Sequence, residues 1–291
     1  MNFLAQVRSA LKKVDPSSIR ALAAKRYRIL LVAGSSSSYA AVEDFLTPAG
    51  LSRQKRLEAA ETLVRACDPD AEGKFHFIFA EQGTAAPEGW IPGEDLFFFD
   101  VRRLPEFVEH FVAARPEESL ALARLLEPVR NEYARQTIHQ VARENALFSI
   151  LTSLPNVVPG LAQIPWLFGE FASDTAVLTA NQIRMAFLLA AASDREVGFS
   201  EQRREIGSII AGAWGWRAGA RQLVSKIPFG GGIIPKAAVA YAGTYVVGLA
   251  LDRLYRLGYG LSREEREKAY EEAYARGRQV ASSLVRMVKA G

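Results

Sequence analysis

Asn145 to Ser173 is a 29-residue stretch with one charge, Glu170, and it carries Pro155, Pro159 and Pro165 inside that apolar run. Proline lacks an amide hydrogen and its ring collides with the preceding turn, so three in close succession cut the stretch into short helical pieces joined by turns. A straight membrane-spanning helix is disfavoured here. A second broken block follows: residues 227–236 read IPFGGGIIPK, and Ala237 to Leu251 is uncharged for 15 residues. Crossing a bilayer core of roughly 30 Å takes about 20 apolar residues, so that run by itself reads as too short. Leu154-Pro155 and Ile227-Pro228 each precede a turn and then a helix, a faint internal echo between the blocks. The two blocks are expected to pack together as a helical core or to sit in a membrane interface.

The chain of 291 residues is long enough for one large or two ordinary domains, and its 49% hydrophobic content excludes general disorder. The net charge of +4 is concentrated at the N-terminus, where Arg8, Lys12, Lys13, Arg20, Lys25, Arg26 and Arg28 face Asp15 alone. Such a patch suits an anionic surface. Nucleic acid is not the expected partner, because interleaved aromatics and a recognisable motif are missing. The single Cys67 rules out an internal disulfide and a cysteine-based zinc site, which fits a reducing compartment. Arg8 and Lys12 break the first apolar stretch before the core of a signal peptide can form.

Five regions follow from periodicity. Residues 1–26 read as basic amphipathic helices, with Phe3, Leu4, Val7 and Leu11 on one face and Arg8, Lys12 and Lys13 beside it, a candidate membrane contact. Residues 27–103 read as a small α/β unit with a largely parallel sheet, its strands being RILLVAG (28–34), FHFIFA (75–80) and DLFFFDV (95–101), with helices near 38–47 and 52–67. Residues 104–145 read as a charged helical connector and 146–260 as the apolar helical domain with its Pro/Gly-broken hairpins. Residues 261–291 read as one charged helix opened by a capping box of Ser262 and Glu265. The expected class is α+β, mostly α, with the small α/β unit preceding the helical domain.

The α/β unit has the outline of a nucleotide-binding loop: a buried strand, Gly34, four serines, and a helix. A working loop ends in glycine, lysine and a hydroxyl residue, whose amides, ammonium and oxygen hold phosphates and magnesium. Tyr39, Ala40 and Ala41 stand in those places. Downstream, residues 80–83 read AEQG where a GTPase has D-x-x-G, and no N-K-x-D occurs. The unit therefore reads as a decayed nucleotide-binding domain or an ordinary α/β turn, with no cofactor expected. His76, His110 and His139 are scattered, Ser35 to Ser38 has no nucleophile-elbow context, and Gly230 to Gly232 before Lys236 reads as a tight turn sooner than an anion site.

Polar residues inside the apolar half form the remaining candidate cluster. Asp174, Asn181 and Arg184 fall on one helix from about residue 170 to 192, and Lys236 shares a face with Ala240 and Thr244 on the next. If buried, Asp174 is expected to pair with Arg184 or Lys236, because an isolated buried charge is costly.

DTAVLTANQIRM (174–185), AAASDREVGFSEQ (190–202), KIPFGGGIIPKAAVAYAGTYVVG (226–248) and ALDRLYRLG (250–258) together resemble the YcjF-type domain of unknown function. The likeness covers about a third of the chain. It implies a bacterial protein at or near the cytoplasmic face of the inner membrane, often joined to a GTPase domain or to membrane spans, and brings no catalytic residues. The expected function is a non-catalytic, membrane-associated adaptor or regulator, with an anionic membrane surface and a GTPase or membrane protein as partners. The rival readings are a membrane-inserting or remodelling hairpin protein and an unorthodox nucleotide hydrolase.

Overall fold

The computed structural model describes residues 7, 9–11, 14–47, 50–68, 71–85, 87–153, 174–212 and 232–290; for Asp174, Lys289 and Ala290 it describes the backbone alone. The protein is mostly helical with one four-stranded parallel sheet. Contacts divide it into an α/β unit (residues 18–136 and 191–195) and a helical unit (1–17, 137–190 and 196–291).

In the α/β unit, α1 (Pro16–Ala23) precedes β1 (Ile29–Val32), and α2 (Ser36–Leu46) and α3 (Arg53–Thr62) lead to β2 (Leu63–Arg65). β3 (Phe77–Glu81), β4 (Leu96–Phe99), α4 (Leu104–Ala114) and α5 (Pro116–Ala123) follow. The sheet order is β2-β1-β3-β4, with Ile29 paired to both Leu63 and Phe77, and Ile78 paired to Leu96. Every pair is parallel. β1 and the first four residues of β3, Phe77 to Ala80, are apolar because both sheet faces are covered there, as parallel sheets require, and Glu81 ends β3. One face is aromatic: the Phe79 ring lies 4.8 Å from Phe107 and 5.1 Å from Phe111, and Phe97 lies 5.0 Å from Phe111. These edge-to-face pairs fix α4 on the sheet. Residues 104–114 thus belong to the α/β core, where a connector was expected.

α6 (Glu127–Leu151) starts in the α/β unit and continues into the helical unit, which also holds α7 (Asp174–Ala192), α8 (Ile233–Leu257) and α9 (Arg263–Ala290). A further helical stretch covers residues 203–212. α8 and α9 are antiparallel across Gly258, whose φ of 84° ends α8 in the left-handed conformation that glycine adopts without penalty. Their packing is close: a Cβ on Gly277 would stand 3.0 Å from the Ala238 carbonyl oxygen. Ala237, Tyr241, Ala281 and Leu284 bury themselves there with Ala142, Ala146 and Ile150 of α6.

Two helices, Thr175–Ala192 and Ile233–Leu257, are long and apolar enough to cross a membrane by length and composition. The expectation that the second block is too short is corrected for α8. Its helix runs 25 residues, about 37 Å at 1.5 Å per residue, because Lys236, Asp252, Arg253 and Arg256 lie near its ends and do not interrupt it. The Pro-rich stretch 154–173 and residues 213–231 lie outside the described residues, and the broken hairpins expected there with them.

Candidate functional site

The carboxyl ends of β1 and β3 meet at the point where strand order reverses, the position at which doubly wound sheets open a crevice for ligands. The chain leaves β1 through Gly34 into α2, whose N-cap Ser35 accepts from the Ser38 amide at 3.1 Å. The strand partner supplies the closure. Glu81, last residue of β3, accepts from the Gly34 amide through Oε2 at 2.8 Å and from the Ser38 hydroxyl through Oε1 at 2.8 Å. A carboxylate thus occupies the donors at a helix start, where an anion is favoured.

The residues standing where a working loop has its cation and metal ligand do not supply either. Tyr39 is buried, with the Arg65 guanidinium 5.6 Å over its ring and Arg65 held by Glu43 at 2.8 and 2.5 Å. Glu43 keeps that guanidinium firmly protonated through hydrogen bonding and charge. Ala40 and Ala41 are exposed and carry no polar group. Of these residues, Gly34 is the one whose amide is bonded to Glu81.

The second candidate cluster is only partly assembled. Asn181 is buried and donates to Asn145 Oδ1 at 2.7 Å, while Asn145 donates to Thr244 Oγ1 at 2.8 Å, which also accepts from Gln182 at 3.2 Å. Asn145, Asn181 and Thr244 thus tie α6, α7 and α8 together. Arg184 is half-buried and forms an ion pair with Glu144 at 3.6 Å. Lys236 is exposed and donates to Ser153 Oγ at 3.0 Å, so its expected burial is corrected: at the first turn of α8 it reaches solvent. The Asp174 side chain lies outside the described residues. Asn145 was missed because it follows Arg143-Glu144 and reads as the end of a charged segment; its spacing with Ala142 and Ala146 was the available signal.

The N-terminal face is corrected at Val7. Val7 is 2% exposed and packs on Ala176, with Leu11 and Ile210 partly buried around it. An apolar side chain already removed from water inside the protein has no further gain from lipid. Phe3, Leu4, Arg8, Lys12 and Lys13 lie outside the described residues.

The histidines have separate roles. His76 Nδ1 accepts from the Arg28 amide at 3.0 Å, His110 meets Phe97 edge-on, and His139 Nδ1 lies 2.8 Å from the Tyr241 hydroxyl. Burial pushes the Tyr241 phenol up from its ordinary value. Among the described residues no group of three or more His, Cys, Asp or Glu could hold a metal ion. Comparison with protein families, with curated proteins and with solved structures finds no match.

Proposed function

We propose that this chain is a non-catalytic adaptor or regulatory protein that works at a membrane surface, with a decayed nucleotide-domain-like unit joined to a YcjF-like helical unit. The observation that carries the non-catalytic half is Glu81. Its carboxylate takes the Gly34 and Ser38 donors that a phosphate would need, and a phosphate entering there would meet a like charge. Tyr39, Ala40 and Ala41 supply neither the cation nor the magnesium ligand that would offset that repulsion.

The membrane half of the reading is supported by α8, a helix of span length of which only a third of the apolar window is buried. The resemblance to YcjF-type domains points the same way and suggests a GTPase or a membrane protein as partner. Full insertion as separate hairpins is the second reading, favoured by the lengths of α7 and α8. The Asn145, Asn181 and Thr244 network weighs against it, since parting the helices in hydrocarbon would strand these groups.

Cell fractionation followed by washing the membranes with high salt and then with alkaline carbonate tests the proposal. Recovery with membranes and release by salt is expected, because attraction to anionic headgroups is screened within about 8 Å at physiological ionic strength. Carbonate resistance would favour insertion, and a wholly soluble protein would defeat both membrane readings.

A further inference from the structure

We propose that α8 is a conditional membrane-inserting helix, held inside the protein by a hydrogen-bond latch on the three polar side chains of its uncharged run. This rests on the membrane reading above and deepens it: the peripheral form is the latched state, and loosening the latch sends α8 into the bilayer.

The run from Ala237 to Leu251 carries three polar side chains, Tyr241, Thr244 and Tyr245. Each is bonded to another helix. His139 Nδ1 of α6 lies 2.8 Å from the Tyr241 hydroxyl. Thr244 Oγ1 accepts from Asn145 of α6 at 2.8 Å and from Gln182 of α7 at 3.2 Å. The Tyr245 hydroxyl accepts from Arg276 of α9 at 3.3 Å. Three helices thus converge on little more than one turn of α8, where Tyr241 and Thr244 are shut off from solvent.

The apolar contacts of α8 discriminate little between protein and lipid. Ala237 and Tyr241 pack with Ala142, Ala146 and Ile150 of α6 and with Ala281 and Leu284 of α9. Hydrocarbon replaces such contacts at small cost, because acyl chains are as apolar as these side chains. Length does not forbid the transfer either, since the 25-residue helix exceeds the requirement of about 20. Its charges stand near its ends, Lys236 in the first turn and Arg253 with the paired Asp252 and Arg256 in the last two, where long cationic side chains reach headgroups. What opposes insertion is the set of hydrogen bonds at 241, 244 and 245, because breaking each one carries a polar group into hydrocarbon without its partner. The latch therefore decides where α8 resides.

The test is flotation of the purified full chain with vesicles of phosphatidylcholine and phosphatidylglycerol, which leaves aggregated protein at the bottom, followed by alkaline carbonate. The parent is expected to float and to be stripped by carbonate. Tyr241→Phe/Thr244→Val/Tyr245→Phe keeps the shape of each side chain while removing its polar group, and should raise the carbonate-resistant fraction by about ten-fold or more. Adding Val246→Lys to that variant puts a charge at mid-helix on a half-buried position and should return the fraction to that of the parent. Should the triple variant not stay in solution, Thr244→Val alone decides by the same measure, with a smaller rise expected. If the parent floats and the variants lacking these hydroxyls are stripped as readily as the parent, the latch is refuted while the peripheral reading stands. Resistance that survives Val246→Lys would show that another element inserts and would refute the assignment to α8. If neither the parent nor any variant floats, the membrane reading itself fails and this inference with it.

Discussion

Asn181 donates to the Asn145 side chain at 2.7 Å in a place where both are shut off from solvent, and this pair ties α7 to α6. Truncating Asn145 strands the Asn181 amide, and truncating Asn181 strands the Asn145 Oδ1. Asn145→Ala removes the acceptor for Asn181, while Thr244 keeps Gln182 as a donor, so it should cost about 1–3 kcal/mol for the Asn181 amide left unsatisfied. The double variant Asn145→Ala/Asn181→Ala should cost less than the sum of the single losses, by about 0.5–3 kcal/mol. Thermal or denaturant unfolding measures this, and strict additivity would show that the two amides do not depend on each other.

Gly248 of α8 allows a second close approach. A Cβ there would stand 2.7 Å from Ile138 Cγ1 and 3.1 Å from Met185 Sδ. Gly248→Ala should therefore destabilise by about 1–3 kcal/mol through overpacking, despite the gain of up to about 1 kcal/mol in helix propensity. Trimming the neighbour with Ile138→Ala should recover part of the loss. Lack of any rescue in the double variant would show that α6 and α8 do not meet through these residues.

How much of this was legible in the sequence depended on what each residue packs against. β1 and β3 were readable because burial on both faces makes a parallel strand almost uniformly apolar, and the edge strand β4 because Leu96-Phe97-Phe98-Phe99 is an apolar run even though Phe98 is exposed. β2 was not, because Leu63-Val64-Arg65 follows α3 without a turn and reads as its last residues. The Ser262 and Glu265 capping box was visible because it is local: Glu265 accepts from the Ser262 amide at 2.8 Å and its own amide donates to Ser262 Oγ at 3.2 Å. Partnerships across large separations left no such mark. Nothing in the spacing joins Glu81 to Gly34 or Asn145 to Thr244, since strand order and helix packing decide them.

Asp194 gives the α/β unit a pH-dependent tie. Its carboxylate meets Arg124 at 2.7 Å and Lys55 at 3.0 Å. Burial by itself would raise its pKa, but the hydrogen bonds from Arg124 and Lys55 outweigh that and bring it below the usual carboxylate range. A pKa lower in the folded state than the unfolded value of about 3.9 contributes stability that is fully present above that value and is lost as pH falls through the folded pKa. Asp194→Asn should melt below the parent at neutral pH, and the two should converge in acid. Asp194 also sits at φ 55°, so Asp194→Ala should cost a further ~1–2 kcal/mol relative to Asn, which tolerates left-handed backbone better. Parallel melting curves for Asn and parent across acid pH would remove the ion pairs from the account.

Glu265 predicts acid behaviour at the start of α9. The Arg253 hydrogen bond, then the Ser262 amide, hold its carboxyl down to about 2. Its cap should thus persist above an unfolded value of about 4.3 and fail only as pH falls toward 2. Protection of the first α9 amides in hydrogen exchange should fall over that window in the parent. In Glu265→Gln it should already be reduced at neutral pH; equal protection in both proteins would leave the cap without a role.

The central claim, that the crevice at the ends of β1 and β3 is closed to nucleotide by Glu81, is tested most directly by titrating magnesium-GTP and magnesium-ATP into the purified protein in a calorimeter. No saturable heat at micromolar concentration is expected for either nucleotide. A saturable micromolar isotherm that depends on magnesium would contradict the account, because it would require Glu81 to release the Gly34 and Ser38 donors, and phosphate contacts that Tyr39, Ala40 and Ala41 do not provide.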